Sequence, residues 1–264
     1  MYNYIIKYNY IWFYLMSVKI SLCIPTKNRF DNFLTRYIDD YLTYLKQGII
    51  DEIVICDETG SDFDKINNKY SDYIQNNTNF KIIKNDNILG VFENKLKVCS
   101  YASNEYIALI DSDNFADENY FNTVTNYIMN NSNNFSKNLI LAPSFAKPRF
   151  NYKEFETNIV DKTNIKHYAY NNLFQVVLNT GNYVLTKSII NTLQYDNTIM
   201  NVISACDVLY FNLLAFKQYP DLQFHIVTNL EYLHVVHDDS EYLKTHHNCD
   251  NYRDTYIIPK YKEL

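Results

Sequence analysis

Residues 105–113 have the sequence Glu-Tyr-Ile-Ala-Leu-Ile-Asp-Ser-Asp, an apolar run that ends abruptly in two carboxylates. The apolar part, 106–110, is too short for a helix and is typical of a buried strand. Because a buried strand does not accommodate a carboxylate in its middle, we expect Asp111 and Asp113 at its carboxyl end. In open α/β sheets, ligands bind in the crevice at that edge.

The Asp-x-Asp pair has two interpretations. Two hard oxygen ligands on a tight turn suit a divalent cation, which is usually bound together with the phosphates of a substrate. The alternative is a helix cap, because residues 113–117 could begin the next helix, which the pattern places near Ala116. With 30 acidic residues in the chain, the pair alone does not decide between the two.

The composition limits the class of protein. A chain of 264 residues can bury one large core. Its net charge of -6 argues against a nucleic-acid partner, which would require a basic face. The 26 tyrosines and 16 phenylalanines, set against four glycines, suggest an AT-rich genome. Five widely spaced cysteines without a C-x-x-C pair predict reduced, mostly buried thiols: Cys23, Cys56, Cys99, Cys206 and Cys249.

The N-terminal residues carry the longest apolar run, 10–16, which is far short of the about 20 residues that span a bilayer. It also lacks a signal-peptide cleavage pattern. We therefore expect a cytoplasmic protein with no transmembrane span, in which residues 1–17 are an extension that need not belong to the fold, or the true start is Met16. The alternative is a weak interfacial anchor and a membrane-peripheral protein, since Tyr and Trp favour membrane interfaces.

The first half of the chain alternates strands with helices. The patterns predict strands over 19–24, 52–56, 81–84 and 106–110, and helices over 29–47, 62–75 and 91–102. This alternation predicts an α/β fold with a mostly parallel sheet flanked by helices on both faces. Right-handed crossovers then bring the loops after the four strands to one edge of the sheet.

The second half is less regular. We predict strands over 138–142, 173–178 and 183–185, a helix over 204–216, and an irregular aromatic excursion over 143–170. Residues 238–264 are interpreted as a polar tail. The expected organisation is one domain over 18–237, with a nucleotide-binding half, 18–115, and an acceptor half, 116–237.

Four motifs follow one another in this frame. They are Ile24-Pro-Thr-Lys-Asn-Arg29, the segment 53–62 (Ile-Val-Ile-Cys-Asp-Glu-Thr-Gly-Ser-Asp), Asn87-x-x-Gly90-x-x-x-Asn94, and Ala108-Leu-Ile-Asp111-Ser-Asp113. In this order they resemble the family 2-like GT-A glycosyltransferases, which move a sugar from a nucleotide-sugar to an acceptor hydroxyl. The resemblance covers about 18–237 and implies the Rossmann-like GT-A fold.

The resemblance implies a nucleotide site. The loop residues Pro25, Thr26, Asn28 and Arg29 would line the base and ribose, with the third motif, Asn87, Gly90 and Asn94, beside them. Asp57, with Glu58 as second choice, is placed to accept a hydrogen bond from the imide N–H of uracil. Cytosine has no N3–H, so a UDP-sugar is the expected donor. The alternative for Asp57 is a turn or helix-cap residue.

The metal site that the resemblance implies holds Mn²⁺ or Mg²⁺ between the two phosphates of the donor. Asp113 would be the direct ligand. Asp111 would contact the ribose, or the metal through water, with Ser112 between them. His237 resembles a late histidine that completes the metal shell; the alternative is an ordinary polar histidine, and His234 is a weaker candidate.

The acceptor side is expected to hold the general base. Asp207 begins the helix over 204–216 and resembles the acid that takes the proton from the acceptor hydroxyl, which leads to an inverting displacement. The alternative is an N-cap, which Asp favours. Gly181, in the segment 179–182, resembles the acceptor-side turn of the family and occupies a position where we expect a conformation that only glycine tolerates.

The sequence departs from the family pattern at three places. The turn after the second strand is one residue longer before its final Asp, which leaves open whether Asp57 or Glu58 meets the base. Glu93 stands where a basic residue is usual, so Lys95 or Lys97 would have to serve the diphosphate, and Cys206 stands where a second acid is common. Two other functions remain open: a catalytically inactive nucleotide-sugar-binding module and a sugar-phosphate nucleotidyltransferase. The latter would require a glycine-rich phosphate loop after the first strand, and 24–29 contain no glycine.

Overall fold

The computed structural model describes residues 18–170, 178, 180–199 and 203–264. Within them, nine strands form one sheet in the order β3-β2-β1-β4-β8-β5-β9-β7, with β6 beside β5. The strands are β1 (Ile20–Thr26), β2 (Glu52–Asp57), β3 (Phe80–Lys84), β4 (Tyr106–Leu109), β5 (Leu139–Lys147), β6 (Phe150–Asn151), β7 (Ile159–Val160), β8 (Val184–Thr186) and β9 (Gln223–Leu233).

Helices connect these strands. They are α1 (Thr35–Gln47), α2 (Ser61–Lys69), α3 (Ser71–Asn76), α4 (Val91–Ser100), α5 (Glu118–Asn131), α6 (Ile165–Tyr170), α7 (Lys187–Thr192), α8 (Asp207–Gln218), α9 (Glu241–Tyr252) and α10 (Ile258–Glu263). Short π-helical segments, Phe30–Leu34 and Arg253–Ile257, precede α1 and α10, and single 3₁₀ turns occupy Ser132–Asn134, Lys153–Phe155 and Asn197–Ile199. No described helix has the length and apolar character needed to cross a membrane.

Strands β3, β2, β1 and β4 form the parallel half of the sheet, in which Cys23 pairs with both Val54 and Leu109. Every residue of β1 and β2 is buried, because helices cover both faces. The predicted α/β fold with a mostly parallel sheet is confirmed. The carboxyl ends of these four strands lie along one edge, as their sequence order requires.

In the other half of the sheet, β8, β6 and β7 run opposite to the remaining strands. Strand β8 runs antiparallel between β4 and β5, and β5 pairs in parallel with β9. The reversal places residues 180–182, which precede β8, beside the end of β4, where the amide of Leu109 donates to the carbonyl of Tyr183. The strand predicted over 173–178 lies almost wholly outside the described residues, which include only Leu178 of that segment.

Two apolar layers cover the sheet. On one face pack α1, α2 and α5, with Tyr41 and Phe121 fully buried; on the other pack α4, α6, α7, α8 and the C-terminal helices. All five cysteines lie within the described residues, are buried and form no disulfide, as the sequence predicted.

The C-terminal residues 238–264 correct one expectation. They are not a tail: α9 and α10 pack on the second apolar layer, where Cys249, Ile257 and Tyr261 are buried. The Tyr261 hydroxyl donates to the carbonyl of Leu209 over 2.9 Å. The sequence hid this packing because tyrosine and cysteine, spaced among polar residues, carry most of the apolar contacts.

Candidate active site

A cleft of about 800 Å³ opens at the edge where β1 and β4 end. Its walls come from the loop after β1, the start of α4, the turn after β4, residues 180–182, the start of α8 and residues 232, 234–236 and 239–244. The volume lies in the range typical of ligand pockets. The expected convergence of loops at one edge therefore produces a site large enough for a nucleotide-sugar.

The turn after β4 presents Asp111, Ser112 and Asp113 to the cleft. The next helix, α5, is capped by Asp117, whose side chain accepts a hydrogen bond from the Tyr120 amide over 3.0 Å. The helix-cap interpretation therefore applies to Asp117. Asp113 is left in the cleft with its carboxylate available for other partners.

Asp113 and His237 meet across the cleft. The Asp113 Oδ2 lies 3.0 Å from His237 Nε2 and 3.8 Å from Arg29 Nε. Among the described residues, no group of three or more His, Cys, Asp or Glu side chains is placed to hold a metal ion. The protein thus offers an oxygen and a nitrogen ligand, and the chemistry of this pair fits a divalent cation that takes its remaining ligands from substrate oxygens and water.

Asp111 faces a different partner. Its Oδ1 lies 2.8 Å from Lys95 Nζ, and its Oδ2 lies 3.4 Å from the Asn182 side-chain amide. The Asp111 backbone amide donates to Asn182 Oδ1 over 2.7 Å. Both oxygens of Asp111 therefore have protein partners, in contrast to the arrangement at Asp113.

Asp207 begins α8 at the floor of the cleft, where it is buried. Its Oδ2 lies 2.9 Å from the same Lys95 Nζ. Burial raises the pKa of the Asp207 carboxyl and Asp111 adds to this effect, while Lys95 opposes it. Burial would lower the pKa of Lys95, but Asp111 and Asp207 outweigh it and raise that pKa above its usual value. Lys95 therefore remains a cation between two carboxylates.

The loop after β1 lines the cleft with Pro25, Thr26, Asn28 and Arg29, the predicted residues. Asp62, in the first turn of α2, holds this loop: its carboxylate accepts hydrogen bonds from the Thr26 hydroxyl (2.5 Å) and from the Arg29 amide (2.8 Å). In the sequence, Asp62 is only the last residue of a motif. Its role depends on the contact between the first turn of α2 and the loop after β1, which a local sequence pattern does not encode.

Two consecutive residues at the end of β2 carry carboxylates, and the two side chains lie in different surroundings. Asp57 is fully buried, and its two oxygens accept hydrogen bonds from the backbone amides of Thr59 (3.1 Å) and Phe63 (2.8 Å). Glu58 lies on the cleft wall, where its carboxylate accepts from the Gly90 amide. The structure thus places the second choice, Glu58, rather than Asp57, in reach of a ligand.

The third motif contributes unevenly. Asn94 lines the cleft and is buried, bonded to the carbonyl of Cys56 (3.3 Å) and to the Asn85 side chain (2.9 Å). Gly90 precedes α4 with a φ of 86°, which favours glycine, and its amide reaches Glu58. Asn87 is exposed and does not line the cleft, so the structure does not bring this predicted residue to the site.

The family model for glycosyl transferase family 2 matches residues 21–181, more than half of the chain and all four motifs. The chain belongs to glycosyl transferase family 2. This membership does not support the alternative of a nucleotidyltransferase.

Solved structures with this family's fold include those of S. aureus TarS. The structure of TarS 1-349 in complex with UDP-GlcNAc shares 16% identity over 86% of this chain and 61% of that chain, with a TM-score of 0.59. The corresponding values for TarS 1-349 are 17%, 81%, 59% and 0.55. This chain thus spans less than two thirds of these relatives, and the likeness establishes the fold. A comparison with the curated proteins gave no match by sequence.

The C-terminal residues of this family 2 member also contribute to the site. The sequence did not predict this contribution. Residues 235–236 and 239–244 line the cleft. Arg29 holds them there: its Nη1 lies 2.6 Å from Asp239 Oδ2, and its Nη2 donates to the Asp239 carbonyl over 2.8 Å. Gly181 also lines the cleft, where an added Cβ would lie 3.3 Å from Val208 Cγ2. Its φ lies outside the left-handed region, so the expected conformation that only glycine tolerates is not found there.

Proposed function

We propose that this glycosyltransferase moves a sugar from a UDP-sugar to an acceptor hydroxyl, with inversion at the anomeric carbon and with the help of a divalent metal. The observation that carries the proposal is the cleft itself, which is lined by Asp113 and the buried Asp207, with His237 in contact with Asp113. The structural relatives in complex with UDP and UDP-GlcNAc support a nucleotide-sugar as the donor.

The nucleoside would bind against the loop after β1 and Glu58. Glu58 takes the role first considered for Asp57, because both oxygens of Asp57 are used by backbone amides. A carboxylate at this point accepts a hydrogen bond from the N3–H of uracil and finds no such donor on cytosine. This difference in donors is the basis for a uridine nucleotide.

The metal, Mn²⁺ or Mg²⁺, would be held by Asp113 and His237. When bound, it neutralises negative charge on the departing diphosphate. Asp111 is a less suitable ligand than the sequence indicated, because Lys95 and Asn182 occupy its oxygens. Arg29, 3.8 Å from Asp113, adds a positive charge at the same end of the cleft.

Asp207 would act as the general base. Its carboxylate takes the proton of the acceptor hydroxyl, whose oxygen forms a bond to the anomeric carbon as the bond from that carbon to UDP breaks on the opposite face. A single displacement inverts the configuration. The domain that performs it would extend over 18–264, since α9 and α10 complete both the core and the cleft.

The metal is tested by calorimetric titration of UDP and GDP with and without Mn²⁺, on the wild type and on Asp113→Ala. We expect UDP to bind more tightly than GDP, Mn²⁺ to strengthen UDP binding at least tenfold, and Asp113→Ala to lose this gain. The exposed Asp86→Asn is the matched control and should behave as wild type. UDP binding that does not depend on Mn²⁺ would contradict the metal.

The base is tested by hydrolysis of UDP-sugars, with water in place of the acceptor. Asp207→Asn removes the proton acceptor while keeping the shape, so we expect turnover to fall at least 100-fold with UDP affinity unchanged. A wild type that binds UDP but turns over no UDP-sugar would instead support the inactive binding module.

A further inference from the structure

We propose that Lys95 is a positioning residue: its ammonium group holds the carboxylate of Asp207 in place by bridging it to Asp111, and it does not bind the donor diphosphate. This inference rests on the function proposed above. It assigns to Lys95 a different task from the one that the sequence suggested, which was to replace a missing basic residue beside the phosphates.

The geometry of the bridge carries the proposal. Lys95 Nζ lies 2.8 Å from Asp111 Oδ1 and 2.9 Å from Asp207 Oδ2, and the lysine side chain is only 15% exposed. An ammonium group has three N–H donors, and the two carboxylates take two of them. The third N–H remains, but the charge of Lys95 is already shared by two carboxylates at hydrogen-bond distance, so a phosphate oxygen would compete with them for it.

Asp111 is a firm anchor for this bridge. Asn182 accepts a hydrogen bond from the Asp111 amide over 2.7 Å and approaches its carboxylate on the side away from Lys95. Asn182 is in turn buried and fixed, since its carbonyl accepts from the Tyr120 hydroxyl over 2.7 Å. The position of Lys95 is thus set by the turn after β4 together with the residues that precede β8.

Asp207 depends on the bridge more than its place at a helix start implies. The residue before it, Cys206, makes no side-chain cap hydrogen bond. The Asp207 carboxylate would otherwise be a buried anion close to a second one, an arrangement that is strongly unfavourable without a cation. Lys95 therefore offsets one of the two negative charges and fixes the direction in which Asp207 faces the cleft.

The neighbouring residues of α4 do not offer a substitute. Glu93, at the position where the family pattern has a base, accepts a hydrogen bond from the Tyr195 hydroxyl over 3.2 Å. Lys97 does not line the cleft. Within the described residues, α4 presents to the cleft a single cation, and both carboxylates that flank the acceptor side are its partners.

The test compares Lys95→Met and Lys95→Arg with the matched control Lys97→Met on the same helix. Calorimetry gives the Kd of UDP with Mn²⁺, and hydrolysis of UDP-sugar gives kcat and KM. Because a small misplacement of a reacting group costs about 100-fold in rate, we expect Lys95→Met to lower kcat by about that factor with the Kd of UDP within threefold of wild type. Lys95→Arg should recover part of kcat, and Lys97→Met should change neither quantity.

A Lys95→Met protein that loses UDP affinity tenfold or more, with kcat preserved, would overturn the assignment and make Lys95 a diphosphate ligand. If Lys95→Met does not fold, Lys95→Arg provides the same test, in which the change in kcat is compared with the change in the Kd of UDP. Failure of the proposed function is distinguishable, because it appears in the wild type: binding of UDP without turnover would contradict base catalysis, and the positioning role with it.

Discussion

At the scale of single residues, neighbours in sequence perform different tasks because successive side chains of a strand point to opposite sides. Asp57 ends β2 and turns inward, where it stabilises the turn into α2, while Glu58 turns toward the cleft. Asp111 and Asp113 lie two residues apart in the turn after β4, so this alternation does not apply to them; both line the cleft, Asp111 beside Lys95 and Asp113 beside His237. At the end of β2, one carboxylate stabilises the structure and the other faces the ligand space.

This division predicts that conservative substitutions at the end of β2 affect different properties: UDP affinity in one case and stability in the other. Glu58→Gln removes a charged acceptor for the uracil imide, so we expect UDP affinity to fall roughly tenfold or more, from about 1.5–3 kcal/mol for such a bond, with little change in thermal stability. Asp57→Asn should lower the free energy of unfolding, because it leaves a buried backbone donor poorly matched. Calorimetry measures the UDP affinity of both variants, and thermal unfolding measures their stability. Loss of UDP affinity in Asp57→Asn and loss of stability in Glu58→Gln would instead assign the contact with uracil to Asp57.

At the scale of elements, the C-terminal helices join the core to the cleft. The buried side chains of these helices pack against α8, whose first residue is Asp207. The residues before α9 line the cleft, where they are bound by Arg29. A disturbance of α10 is therefore expected to reach the acceptor side of the site through α8, although α10 itself lies outside the cleft wall.

Substitutions of Tyr261 test how much this packing contributes to the stability of the fold. Its ring is fully buried, so Tyr261→Ala should lower the free energy of unfolding by about 3–5 kcal/mol through the cavity it leaves. Tyr261→Phe removes only the hydrogen bond to Leu209 and should cost about 1 kcal/mol. Urea unfolding gives both values. Tyr242→Ala, at a side chain 54% exposed in the same segment, is the control and should be near neutral.

At the scale of the whole molecule, the sequence predicted the parallel half well and the other half in part, for physical reasons. Strands β5 and β8 and helix α8 were predicted, whereas β6, β7 and β9 were not. Strands β1, β2 and β4 are continuous apolar runs followed by polar turns, a signal that is local and strong. Strand β9 was missed because the register shifts where it passes Pro143 and Phe145, and because exposed polar residues at 228–229 interrupt its apolar pattern. The Lys95–Asp207 contact joins distant parts of the chain, so only the fold reveals it.

The pH dependence of global stability is a further property of the whole chain, and His225 on β9 contributes to it. Its ring is 3% exposed and lies 2.9 Å from the Tyr127 hydroxyl; burial lowers its pKa to about 4, from 6.5. The unfolded chain then binds a proton that the folded chain does not between pH 6.5 and 4. Stability is lost as the pH falls through this range, by about 3 kcal/mol from this group.

The variant His225→Gln isolates this contribution from that of the carboxylates. Urea unfolding at pH 7 and pH 4.5 should show a smaller loss of stability in His225→Gln than in wild type. His247→Gln, at an exposed position of α9, should retain the full loss. Equal losses in wild type and His225→Gln would contradict the shifted pKa.

The burial of all five thiols has a practical consequence. A chromogenic thiol reagent cannot reach a sulfur atom until the surrounding structure opens, so its reaction rate reports local opening without any introduced label. Cys23, Cys56 and Cys99 lie on or beside the parallel half of the sheet, whereas Cys206 precedes α8 and Cys249 lies in α9. The order in which the two sets are modified would show whether these two parts of the molecule open as one unit or separately.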